Sequence, residues 1–226
     1  MPTAQTIREV VARVVAMPAP EREKAIALHD YVRDSVKFGF ARYFDAAQPD
    51  YTLACGHGHC NPKTRLMVSL LRAIGLEAHQ HFVVIPNDIL NGALPPRLSW
   101  LLPPELSHSY VDVKVEGTWC AIDSYIVDTA LLKAAQARLA NEGRSLGYGV
   151  RADSTNVWDG HGNAFSQFDR DMVIEDHGRV EDLDAYFRDK KYRNQKFGIR
   201  FNTMFIKLTG KAINSHIERI RTSFLE

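Results

Sequence analysis

Three residues in chain order, Cys60, His108 and Asp123, supply the parts of thiol-based acyl transfer. They are a sulfur nucleophile, an imidazole to move its proton, and a carboxylate to orient that imidazole. Cys60 stands at the mouth of an apolar, helix-like run, His108 opens an alternating segment, and Asp123 closes the segment after it. A thiol attacks as thiolate, and a helix N-terminus beside an imidazole lowers its pKa and offers backbone N–H groups to an oxyanion. Gly56 and Gly58, just upstream, permit the tight backbone that close substrate approach requires.

The elements that position these residues are legible from spacing. Asn61-Pro62 pairs a good N-cap with proline at the first helical position, and Gly75 is a left-handed stop. Between them Leu66, Met67, Val68, Leu70, Leu71 and Ile74 are apolar on most sides, which predicts a buried central helix with Cys60 at its positive end. Strand texture follows over 78–85, 108–115 and 118–123, the last two separated by Glu116-Gly117. A two-residue turn there sets Val115 against Thr118, Val113 against Cys120, Lys114 against Trp119 and Tyr110 against Asp123. His108 then shares a face with Asp123 at a diagonal of roughly 7–8 Å between Cβ atoms, within reach of a carboxylate–imidazole bond. Val111, Val113, Val115 and Cys120 fall on the opposite face, so Cys120 reads as a small buried hydrophobe.

Elsewhere, Ile7, Val10, Val11, Val14 and Val15 predict a first helix ended by Pro18 and Pro20, and a second runs from Glu21 to Val36. Further helices are expected over 129–141 and 203–224, while the stretch between them shows no clear element. The segment Pro86 to Ser107 holds five prolines among Leu90, Leu94, Leu98, Trp100, Leu101 and Leu102. It is too apolar for a solvated linker, and as it leads into His108 it would overhang the cleft as a lid or an acyl-chain or aromatic pocket, with Trp100 as the sharpest candidate, or else lie as an apolar cover on the core. The 226 residues, 45% hydrophobic and 24% charged, fit a single domain over 1–226, with a core at about 20–128 and residues 129–226 completing it. Twenty-eight Lys and Arg against 27 Asp and Glu leave no global field for nucleic acid or an anionic membrane. No signal-like N-terminus or membrane-length apolar run stands out, so a cytoplasmic location is expected, and three cysteines argue against a disulfide framework.

Thr52-Leu53, Gly58, Cys60 and the run Ser69 to Ala78 resemble the nucleophile helix of the transglutaminase-like superfamily, a papain-like branch of cysteine enzymes. The segment His108-Ser109-Tyr110-Val111-Asp112-Val113, with Gly117-Thr118-Trp119 and Ile122-Asp123, resembles that family's histidine strand and its return. The likeness covers roughly residues 25–128. It implies an α+β fold with the cysteine helix packed on an antiparallel sheet. It also implies Cys60 as nucleophile, His108 as general base and acid, and Asp123 as the orienting residue, with no cofactor. The implied substrate is a peptide, protein or small-molecule amide or ester, with an amine as a further acceptor. Three positions depart from the family pattern: His59 replaces a small residue, Tyr110 replaces a common Trp, and the Pro- and Leu-rich segment is inserted. His59, Tyr110, Trp100 and Tyr51 are candidate substrate contacts, and Tyr43 and Tyr51 are candidates for the family's second oxyanion donor.

Two other readings use the same residues. The cluster Cys55-Gly56-His57-Gly58-His59-Cys60, with His79 and His81, could hold zinc, although its spacing matches no common finger pattern. A non-catalytic binding module of the same fold is the second. Lys190-Lys191-Tyr192-Arg193 and Lys196 form a basic run that reads as a solvated face.

Overall fold

The computed structural model describes residues 6–16, 18–196, 199–200 and 203–223. Helix α1 (Ile7–Val15) starts at a capping box in which Thr6 and Glu9 satisfy each other's backbone N–H groups, and it buries Val10 and Val14. Helix α2 (Glu21–Ser35) buries Ala25, Leu28, His29 and Val32. Strand β1 (Lys37–Phe38) leads through a short helical turn to α3 (Pro49–Cys55), which Gly56 ends in the left-handed conformation. Strand β2 (His57–Gly58) then pairs in parallel with β1.

Helix α4 (Cys60–Ala73) is the predicted central helix, beginning two residues earlier than the Asn61-Pro62 signal, with His59 rather than Asn61 as its N-cap. Leu66, Met67, Leu70 and Leu71 are fully buried, each worth about 1.5–3 kcal/mol in water-excluded apolar surface. Buried Lys63 donates from Nζ to the Val36 carbonyl, and burial brings its pKa down to about 7. Opposite the helix lie β3 (Ala78–Pro86), β4 (Glu105–Val115) and β5 (Thr118–Ile122). Glu116 and Gly117 both take positive φ, 48° and 84°, as a tight hairpin turn of this hand demands. The resulting register pairs Val115 with Thr118, Lys114 with Trp119 and Val113 with Cys120, as the residue count predicts.

Helix α5 (Thr129–Glu142) is capped by Asp128 and stopped by Gly143. After the short pair β6 (Leu146–Gly147) and β7 (Val150–Arg151), strand β8 (Glu175–Arg179) returns to pair with β3. The main sheet is therefore antiparallel, in the order β5-β4-β3-β8. A short α6 (Leu183–Tyr186) and the pair β9 (Gln195–Lys196) and β10 (Ile199–Arg200) precede the last helix, α7 (Thr203–Thr222). The sheet separates two apolar layers. Val111, Val113, Val115, Cys120 and Ile122 pack toward the helices, whereas Val83, Ile85, Tyr110, Ala121 and Phe168 form a smaller cluster on the other side. The fold is α+β, and Cys120 is core. Among the described residues no helix is long and apolar enough to cross a membrane.

Candidate active site

Cys60 is the first residue of α4, half-buried, with His59 as its N-cap in an extended conformation. The turn before it is sterically fixed: a Cβ on Gly58 would sit 3.1 Å from both Lys63 Cγ and Thr52 Cγ2. Asn61, the next residue, pins the helix start to β4. Its amide donates to Asp45 Oδ1 at 2.8 Å and to the Ser107 carbonyl at 3.2 Å, and its Oδ1 accepts from Ser109 Oγ at 2.8 Å. One turn on, Thr64 Oγ1 donates to the Ser109 carbonyl at 3.0 Å. The end of α4 and the middle of β4, which carries His108, are thus one hydrogen-bonded unit.

His108 is buried on β4 with its ring edge-to-face against Phe168 at 4.9 Å. Its Nε2 lies 3.6 Å from Asp123 Oδ2 and has no hydrogen-bond partner. Asp123, fully buried one residue beyond β5, is fixed from behind: Oδ1 accepts from the Ser166 backbone N–H, and Oδ2 from that of Gln167 at 3.3 Å. The carboxylate therefore faces the Nε2 edge of the imidazole and leaves Nδ1 for another partner.

A second imidazole–carboxylate pair sits on the upstream side. His59 Nε2 lies 2.6 Å from Asp45 Oδ1, and its ring stacks on Phe44 at 4.4 Å and Phe40 at 5.1 Å. Asp45 also accepts from Asn61, from Asn194 Nδ2 at 2.9 Å and from the Tyr192 hydroxyl. Burial alone would raise its pKa, but these donors outweigh burial and hold the carboxyl below the ordinary aspartate range. Asn194 goes on to brace Ser107, donating to its carbonyl at 3.0 Å and accepting its N–H at 2.9 Å.

Cys60 and His108 line one cavity of about 60 Å³ that opens to solvent. Cys60, His59, Ser107, His108, Gln167 and Asn194 make its polar end, and the remaining wall is aliphatic or aromatic. Burial, and after it the carboxylate of Asp45, push the Cys60 thiol well above its ordinary range, while the Ser109 and Asn61 N–H groups pull it down less. This corrects the expectation of a lowered thiol pKa from the helix N-terminus and an imidazole. Desolvation and two buried carboxylates outweigh them here.

The cavity brings together some of the expected contacts. His59 lines it, but Trp100, Tyr110 and Tyr51 do not. Trp100 is 64% exposed on a helical turn over 99–101, with its indole N–H donating to the Arg97 carbonyl. Tyr110 shares the face of the sheet that carries His108, and both rings meet Phe168, but it lies two residues further along β4, stacked on His81 and edge-on to Phe165, outside the cavity. Tyr51 packs edge-on against Tyr43, and neither tyrosine reaches the cavity where an oxyanion donor would stand. The segment before His108 does contribute, through Ile89, Leu90, Leu94, Leu102 and Leu106. Asp45, Asn194 and Gln167 carry no local sequence signal for the roles they take here.

The zinc reading loses its ligands to other partners. His57 Nδ1 bonds the Cys55 carbonyl, His79 meets Glu181, and His81 lies between Asp112 and Asp176. Among the described residues no three His, Cys, Asp or Glu side chains converge as a metal site, and all three cysteines are free.

The transglutaminase-like superfamily model matches residues 8–124, which include Cys60, His108 and Asp123. The chain belongs to the transglutaminase-like superfamily. No curated protein sequence matches it. A crystal structure from Cytophaga hutchinsonii, of a protein whose cysteine protease assignment is itself a proposal, aligns at 15% identity with a TM-score of 0.38. The alignment covers 51% of this transglutaminase-like chain and 35% of that one, so this chain spans about a third of its length.

Proposed function

We propose that this transglutaminase-like protein catalyses cysteine-dependent acyl transfer, with Cys60 as nucleophile, His108 as general base and acid, and Asp123 as the residue that orients His108. The observation that carries the reading is the shared cavity of Cys60 and His108, with the Asp123 carboxylate on the Nε2 side of the imidazole. The raised thiol pKa means a neutral thiol at rest, so its proton leaves as the sulfur attacks an ester or amide carbonyl. His108 Nδ1 takes that proton, a C–S bond forms, and the backbone N–H groups at the start of α4 receive the developing oxyanion. Collapse breaks the bond to the leaving group, which takes the proton from His108 and departs, leaving a thioester. Water or an amine then attacks with His108 again as base, and the thiol is restored. A proton placed on His108 Nε2 by Asp123 fixes the tautomer this sequence needs.

The same raised pKa is the one observation that favours a non-catalytic binding module. Intact-mass analysis after exposure to p-nitrophenyl acetate separates the two. Wild type is expected to gain one acetyl group at Cys60 and the Cys60→Ala variant none. Equal labelling of both proteins, or none on either, overturns the nucleophile assignment.

A further inference from the structure

We infer that the acyl group delivered to Cys60 is an uncharged aliphatic chain, bound along the apolar wall of the cavity. This rests on the reading of Cys60 as nucleophile and names the substrate class for that site. The wall draws on distant parts of the chain: Phe40 and Phe44 before α3, Ile89 and Leu94 in the segment after β3, Leu106 in β4 and Ile213 in α7. Side chains from such separated positions do not converge beside a half-buried cysteine as a by-product of one element's amphipathicity. Among the described residues the cavity has no Lys, Arg, Asp or Glu in its lining, so a charged acyl group would lose its hydration with no counter-charge from them.

The polarity is also ordered. Cys60, His59, His108, Ser107, Gln167 and Asn194 suit a carbonyl and its leaving group, whereas the remainder offers only dispersion and water exclusion. An acyl chain laid along that wall has its carbonyl at the sulfur. The leaving group then faces the polar side chains, which can bond an alcohol, thiol or amine as it departs. A peptide amide bearing polar side chains fits this cavity less well than the ester or thioester of a simple carboxylic acid.

The test is the rate of Cys60 acylation by p-nitrophenyl acetate, butyrate, hexanoate, octanoate and decanoate, each divided by its rate with a small thiol in solution. A glutarate monoester serves as the charged comparator. Acylation is expected to rise by about three- to fourfold for each added methylene until the cavity is filled, and the glutarate ester should fall well below hexanoate. Leu94→Trp, which narrows the cavity, should move the optimum to shorter esters, and Ile213→Ala should move it to longer ones. A flat series, a glutarate ester as fast as hexanoate, or an optimum unmoved in Ile213→Ala overturns the inference, and the last holds even where Leu94→Trp fails to fold. Absence of acetylation at Cys60 instead sinks the nucleophile reading itself, so the two failures are distinct.

Discussion

Two imidazole–carboxylate pairs flank one thiol, and they are built in opposite ways. His59 and Asp45 are 2.6 Å apart, the ring lies against two phenylalanines, and the carboxylate is also bonded by Asn61, Asn194 and Tyr192. His108 and Asp123 are 3.6 Å apart, the ring meets Phe168, and Nε2 has no hydrogen-bond partner although it is buried. A carboxylate whose lone pairs are all taken holds its histidine as a brace, because every motion breaks a bond inside a low-dielectric site. A longer, unsaturated contact leaves the ring room to close on its carboxylate when charge develops, and catalytic hydrogen bonds in unliganded enzymes are often long for this reason. The difference teaches that tight geometry marks the structural pair, and slack geometry the pair proposed to move a proton.

The largest effects should come from breaking the slack pair. His108→Ala is expected to lower acylation of Cys60 by p-nitrophenyl acetate by roughly 10²–10⁴-fold with the fold retained, read by stopped-flow nitrophenol release. Asp123→Asn should cost a similar factor for a different reason. The Ser166 and Gln167 N–H groups hold the side-chain oxygen, so the new amide NH₂ would face His108 Nε2 and force the proton onto Nδ1. A variant retaining more than a tenth of wild-type rate would make this pair structural too.

The tight pair should respond in stability before activity. His59→Phe keeps an aromatic ring against Phe40 and Phe44 but removes one donor from buried Asp45. Urea denaturation is expected to show a loss of about 1–3 kcal/mol, with less than a tenfold drop in acylation. If activity instead falls as far as in His108→Ala, the contrast between brace and base collapses, and His59 takes part in the reaction.

Which half of this contrast was legible in the sequence follows from locality. Cys60, His108 and Asp123 each sit in a short pattern, and the two-residue turn at Glu116-Gly117 fixes the register that sets His108 and Asp123 on one face. The brace has no such pattern, since Asp45 gathers its donors from Asn61 nearby and from Tyr192 and Asn194 far along the chain. The basic run at 190–193 was legible only in part for the same reason: Lys190 and Lys191 are exposed as a solvated face should be, but Tyr192 is buried within it, and Arg193 pairs with Glu175 and Glu105. Strand β8, Glu-Asp-His-Gly-Arg, escaped because a polar edge strand has neither alternation nor β-branched residues to announce it. Trp100 misled as a lid because an apolar segment does not reveal which side chains turn inward; Ile89, Leu90, Leu94 and Leu102 do.

The smallest effect sharpens the contrast by pH. Asp45 titrates below the ordinary aspartate value of 3.8, its donors overcoming burial, so the folded state binds a proton there less readily than the unfolded chain. That stabilisation is present above pH 3.8 and is lost as pH falls through that value toward the folded pKa. Asp45→Asn keeps an acceptor for His59 but carries no charge. Wild type should therefore exceed it in stability by on the order of 1 kcal/mol near pH 6, with the gap shrinking as the buffer is taken below pH 4. Urea melts of both proteins across that range measure it. A gap independent of pH would show that Asp45 braces the site by shape alone, and that the charge beside Cys60 is incidental to holding His59.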